Sequence, residues 1–102
     1  MYKVSVMYPN RSGSRFDISY YVTQHMKLVQ ELMGPEGLIK IAVDKGVSTP
    51  GQPAPYHCIG QLYFTDPQGY ERAIQKHAAR LRGDIPKFTD VTPVRQLSEV
   101  VL

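Results

Sequence analysis

The chain predicts an α+β fold of ferredoxin-like type, βαββαβ, in which a four-stranded antiparallel sheet carries two helices on one face. Three observations lead there. Four short runs are rich in β-branched and aromatic residues, two longer stretches repeat apolar residues at helical spacing, and Pro- and Gly-rich breaks separate them. With 102 residues the expected organisation is a single domain, 1–102, around one core.

"YKVSVMY" (Tyr2–Tyr8) reads as the first strand, with Tyr2, Val4, Val6 and Tyr8 on one face and Lys3, Ser5 and Met7 on the other. "PNRSGS" breaks it, and Asp17 is suited to cap the helix that follows by accepting bonds from its first free amides. The helix stripe is Ile18, Tyr21, Val22, Leu28, Val29, Leu32 and Met33, and "GPEG" (Gly34–Gly37) ends it. "LIKIAVDKG" (Leu38–Gly46) alternates as a second strand, Ile39, Ile41 and Val43 against Lys40, Ala42 and Asp44. After a polar loop (Val47–Pro55), "YHCIGQLYF" (Tyr56–Phe64) forms the third strand. The second helix opens near Asp66 as cap, with Pro67 at the first helical position, and its stripe is Tyr70, Ala73, Ile74, Ala78 and Leu81. "RGDIPKFTD" reads as irregular and "TPVRQLSEVVL" as a last strand.

The first and third strands are apolar in both directions and belong at the centre of the sheet, whereas helices can cover one side only. The economical solution is a homodimer whose sheets pack face to face; the alternative is a monomer with an apolar sheet face.

Composition narrows the function. The net charge is only +3 and the basic residues are scattered, densest in "ARLRGDIPK", without the basic face and interleaved aromatics of a nucleic-acid binder, so no nucleic-acid partner is expected. A lone Cys58 excludes an internal disulfide and a cysteine-rich metal site. No apolar run approaches the ~20 residues of a membrane span, and "MYKVSVMYP" lacks a signal pattern, so the expected setting is a reducing cytoplasm with no membrane partner. Neither a G-x-G-x-x-G after a strand nor a P-loop is present, and Ser14, Ser19 and Ser48 sit in no nucleophile elbow. No cofactor is expected.

The informative residue is His25. Tyr21 precedes it by four, and Leu28 and Val29 follow by three and four, so it lies on their apolar face. His77 is similarly placed on the second helix, between Ala73 and Ile74 on one side and Leu81 on the other. Each is either a core ring bonded to a hydroxyl or carbonyl, or a working base; burial would keep the imidazole neutral and able to accept a proton. No carboxylate is spaced on either helical face to join them. A metal set of His25, His77 and Cys58 has no ligand-spacing signature, so no metal is expected. Ala73 and Ala78 let the second helix approach the sheet closely, which makes His77 the packing residue and leaves His25 the space a ligand needs.

"MYP" after the first strand, then Phe16, Asp17, Tyr20, Tyr21 and His25, then "RQLSEVV" near the C-terminus, together resemble the EthD family. These are small proteins named for a role in ethyl tert-butyl ether degradation, within the dimeric α+β barrel superfamily. The resemblance implies a ferredoxin-like monomer, dimerisation through the sheets, and a pocket between sheet and helices. It makes His25 the candidate catalytic residue and Tyr8, Phe16 and Tyr21 candidates for substrate binding, with His77 joining them from the second helix. One departure is Lys27, where relatives often carry a proline two residues after the histidine, so the entry to a pocket is expected to differ accordingly. Members are described as oxidoreductase-like, and the superfamily includes cofactor-free monooxygenases, cyclases and haem enzymes, so fold alone does not assign the reaction. Two readings follow. In one, a cofactor-free enzyme or accessory enzyme acts on a small apolar molecule, aromatic or ether-like, with His25 as general acid or base. In the other, a binding or protective module holds such a molecule and His25 is structural.

Overall fold

Eight residues of alternating burial open the chain as strand β1 (Tyr2–Pro9), in a computed structural model that describes residues 1–102. There follow helix α1 (Ile18–Tyr20), a π-helical turn (Tyr21–His25) and helix α2 (Met26–Met33), which together make one continuous helical arm closed by a 3-10 turn (Gly34–Glu36). Strands β2 (Leu38–Lys45) and β3 (Tyr56–Phe64) come next, then helix α3 (Gly69–Asp84), a second 3-10 turn (Ile85–Lys87) and strand β4 (Val94–Glu99). The strands pair antiparallel in the order β2-β3-β1-β4, so β1 and β3 are central, as the two-sided apolarity predicts.

Alternation decides which residues meet the helices. Val4, Val6 and Tyr8 of β1 lie opposite Leu62, Gly60 and Cys58 of β3, and all six are buried beneath the helices. Lys3, Ser5 and Met7 share the other face with Ile59, Gln61 and Tyr63, all half-buried. In β2 the expected facing fails at one residue. A bulge between Leu38 and Lys40 inserts Ile39 as an extra residue, so Leu38, Ile41 and Val43 face the helices and Ile39 is turned out, 49% exposed.

Asp17 caps the first helix as expected, its carboxylate accepting the Tyr20 amide at 3.0 Å. The π-helical turn was not foreseen. It closes through the Met26 amide onto the Tyr21 carbonyl, and the extra residue shifts the helical phase. Tyr21, His25 and Met26 therefore face inward together, while Val22, expected on the apolar stripe, is 49% exposed.

The second helix begins later than its sequence predicts. Asp66 caps a turn ahead of the helix by accepting the Gln68 amide at 2.8 Å, which leaves Pro67 outside. The helix can start only where the chain passes close to its neighbours: a Cβ on Gly69 would strike the Glu36 carbonyl and lie 2.9 Å from the Phe64 ring. Arg72 bonds Asp66 at 2.7 Å and Glu36 at 3.2 Å, and Lys76 reaches Glu36 at 2.7 Å, so α3 is tied to the end of the first arm. Farther along, α3 kinks at His77, whose backbone (φ −129°, ψ 20°) is not helical.

The segment expected to be irregular supplies the centre of the core. Phe88 is fully buried, with ring centroids 4.7 Å from His25, 5.1 Å from Tyr21, 5.5 Å from Phe16 and 5.7 Å from Tyr8. Its carbonyl accepts the Asp17 amide at 2.7 Å, and so fixes where the first helix starts.

Gly60 is what lets Tyr21 reach the sheet. A Cβ there would collide with the Tyr21 hydroxyl and sit 3.0 Å from Met26 Cε, and the surrounding rings leave Tyr21 nowhere to go. Gly60→Ala is expected to destabilise the fold by about 1–3 kcal/mol through overpacking. Urea denaturation should show it as a lower midpoint at unchanged slope; an unchanged midpoint would mean that the ring yields freely.

Candidate functional site

The π-helical turn places Tyr21 and His25 one above the other. Their rings stack with centroids 5.5 Å apart and planes 18° from parallel, and Phe88 closes the third side of the imidazole. From the C-terminal end of α3, Asp84 reaches across: its Oδ2 accepts a hydrogen bond from His25 Nδ1 at 2.8 Å, and its Oδ1 accepts the Tyr20 hydroxyl at 2.7 Å. Lys87 adds a looser ion pair at 3.8 Å. An ionised carboxylate can only accept, so Nδ1 carries the ring proton and Nε2 keeps its lone pair. Nε2 has no protein partner, and the ring it belongs to lines a cavity.

That cavity measures about 240 Å³ and lies between sheet and helices. Val6 and Leu62 form its floor, Met26, Val29 and Met33 one wall, and Ile74, Ala78 and Leu81 the other; Tyr8, Tyr21 and Tyr70 contribute the phenols. The charged residues that line it, Glu71, Arg82 and Arg95, are solvent-exposed and so form its rim.

The electrostatics follow from burial. Dehydration holds the His25 pKa below its ordinary value, although the Asp84 carboxylate pulls the other way, so the ring is neutral at neutral pH. Burial pushes Asp84 up, but the bonds from His25 and Tyr20 outweigh it and leave its carboxyl below the usual range. Burial raises both Tyr8 and Tyr21, whose phenols stay protonated. The buried Cys58 thiol is pushed up to about 12, far from a reactive thiolate.

Of the residues singled out from sequence, Tyr8, Tyr21 and His25 come together at the cavity. Phe16 does not line it. The ring backs Tyr8 at 5.0 Å and Tyr21 at 5.3 Å, and its own neighbour is His57, stacked at 5.8 Å. His77 does not reach it either, because the kink that it occupies leaves Ile74, Ala78 and Leu81 to form the wall while the imidazole is only half-buried elsewhere. The expected absence of a carboxylate partner is also corrected, since Asp84 fills that place from the other helix. One signal for it was present: an acid in the last turn of a helix opposes the helix dipole and so calls for another reason to be there. His25, His77 and Cys58 do not converge, and no three His, Cys, Asp or Glu side chains gather in a group able to hold a metal ion.

Comparison with known proteins gives the family and the fold. The family model of the EthD domain matches residues 14–92. An EthD-like protein from Ralstonia eutropha, known from its crystal structure, is 35% identical, with a TM-score of 0.93 over 99% of this chain and 92% of that one. An ethyl tert-butyl ether D (EthD) family protein from Bacillus halodurans shares the fold at 15% identity, with a TM-score of 0.65 over 99% of both chains. A dimeric ferredoxin-like protein from an uncultured marine organism shares it at 16% identity and a TM-score of 0.55, over 100% of this chain and 96% of that one. No protein of curated function matches the chain.

The buried pair predicts how stability responds to acid. The unfolded chain protonates His25 near its ordinary value of 6.5, while the folded ring resists until lower pH, so the unfolded state takes up the proton first. Stability therefore falls as pH drops below 6.5; the Asp84 contribution survives until pH falls below its ordinary value of 3.8. Between about pH 7 and pH 5 the wild-type melting temperature should decline, and His25→Gln should flatten that decline. Equal slopes in the two proteins would show that another group is responsible.

Proposed function

The chain belongs to the EthD family, and from that membership and its site geometry we propose that it acts on a small apolar molecule, aromatic or ether-like, with His25 as general acid–base. The observation that carries this reading is the unbonded Nε2 of a buried, neutral imidazole, oriented from behind by Asp84 and opening on an apolar cavity of about 240 Å³. An apolar cavity of about 150 Å³ admits benzene, so a substituted ring fits here. With a ligand bound, Nε2 accepts a proton from an acidic group, a phenol-type hydroxyl being the simplest case, and Asp84 stabilises the imidazolium that forms. Asp84 is a positioning residue: it fixes the tautomer and the ring plane. Tyr8 and Tyr21 offer protonated hydroxyls that orient the ligand.

A second copy of the chain is proposed against the sheet face away from the helices. Val94, Met7 and Ile59 stand side by side across three strands on that face, and Val94 is 50% exposed. The marine neighbour is described as dimeric, which supports a dimer here.

Two measurements follow. Titration with a panel of small phenols and ethers should show that His25→Ala abolishes turnover or binding, whereas His77→Ala leaves both intact. His25→Ala should cost about 1–3 kcal/mol of stability by leaving Asp84 Oδ2 without its donor. If turnover is absent in the wild type while binding persists in Asp84→Asn, the protein is a binding module and His25 is structural; retained turnover in His25→Ala removes the ring from the chemistry. For the assembly, light scattering at micromolar concentration should return twice the mass of one chain, and the mass of one chain would exclude the dimer.

A further inference from the structure

The cavity is apolar inside, yet a guanidinium stands at its rim. Arg95 lies on the edge strand β4 opposite Val6, on the face of the sheet that meets the helices, and both residues line the cavity. No carboxylate pairs with it: the ion pairs of the chain are those of Arg72, Lys76, Lys87 and His25. Tyr70, also part of the lining, feels its charge, which pulls the phenol down against the effect of burial. Its charge bears on the site from there, lowering Tyr8 and opposing protonation of His25. The other charged lining residues are Arg82 and Glu71, so the rim carries two cations and one anion, a net charge of +1. The charge of Asp84 is taken up behind the imidazole by His25, Tyr20 and Lys87, and does not balance it.

We propose that the ligand of this cavity is a small organic acid, its apolar body held among the aliphatic side chains and its carboxylate at the rim against Arg95, which thereby selects the substrate. The inference rests on the reading of the cavity as a small-molecule site and narrows its chemistry. An unpaired guanidinium offers a planar fork of donors matched to a carboxylate, and a charge-assisted pair at the edge of an apolar cavity discriminates against a neutral isostere. A wholly neutral ligand would leave the guanidinium to water alone. With the carboxylate held at the rim, the far end of the molecule lies toward the interior, which the His25 ring lines.

The test compares phenylacetate with phenylacetamide, two molecules of nearly the same shape that differ in charge, by calorimetric titration of the wild-type protein at low salt. Phenylacetate should bind roughly tenfold to a hundredfold more tightly, and the preference should shrink as salt is raised. Arg95→Gln should erase it without weakening phenylacetamide, Arg95→Lys should restore part of it, and Arg80→Gln, at an exposed arginine outside the lining, should keep it. Arg95 is exposed on an edge strand, so these variants are expected to fold, with melting temperatures as the control. Equal binding of the two molecules, or a preference that survives Arg95→Gln, overturns the inference and leaves the apolar small-molecule site standing. Binding of neither molecule to the wild type overturns both.

Discussion

A carboxylate buried at the C-terminal end of a helix bears two penalties, loss of hydration and the negative end of the helix dipole. Asp84 stands in that position, and it is stable there because His25, Tyr20 and Lys87 surround it with positive or hydrogen-bonding groups. The same bonds do the structural work of joining the two helical arms across the top of the sheet, since His25 and Tyr20 belong to the first arm and Asp84 to the second. The dependence runs both ways. The imidazole is held in one tautomer by the carboxylate, and the carboxylate stays ionised because of the imidazole and the phenol. Removing either partner leaves a buried polar group unsatisfied, so the pair is kept as a unit.

The π-helical turn is what makes that pairing compatible with packing. In a regular helix, facing the sheet with Tyr21 would also turn Val22 toward the core; the extra residue turns Val22 out and stacks His25 beneath Tyr21 instead. A stacked ring pair needs room at the sheet, and Gly60 provides it directly below the Tyr21 hydroxyl. Phe88 then fills the space beside both rings, and its backbone holds the start of the first helix. Helix irregularity, a missing side chain in β3 and a ring from the last loop are therefore parts of one arrangement centred on His25. Such turns recur at functional sites because they re-aim side chains without ending the helix.

The fold was legible because its signals are periodic. Alternation in β1 and β3 and the apolar stripes of the helices depend on neighbours in sequence, and they placed the central strands, the Asp17 cap and the inward face of His25 correctly. What could not be read depends on single residues acting over long separations. The bulge at Ile39 and the phase shift at Val22 each invert the facing of one residue without changing composition. Asp84 meets His25 from 59 residues away, through a segment whose Gly and Pro content reads only as a break. His77 shows the converse: its spacing is right for the cavity wall, but the kink that it sits in is a tertiary effect.

Taken together, the burial pattern leaves one proton-exchanging group inside the cavity near neutral pH. The Tyr8 and Tyr21 phenols are raised by dehydration and stay protonated, so they donate hydrogen bonds but do not ionise. The Cys58 thiol, close by in the core, is pushed up to about 12 and is equally silent. Asp84 is ionised, but it lies behind the imidazole and meets His25 through Nδ1. In the proposed chemistry a proton leaving a bound molecule in the interior would go to Nε2, and the positive charge would be compensated by the carboxylate on the opposite side of the ring. That separation, with a neutral acceptor on one side of the ring and its counter-charge on the other, would let an apolar cavity handle a proton without itself becoming polar.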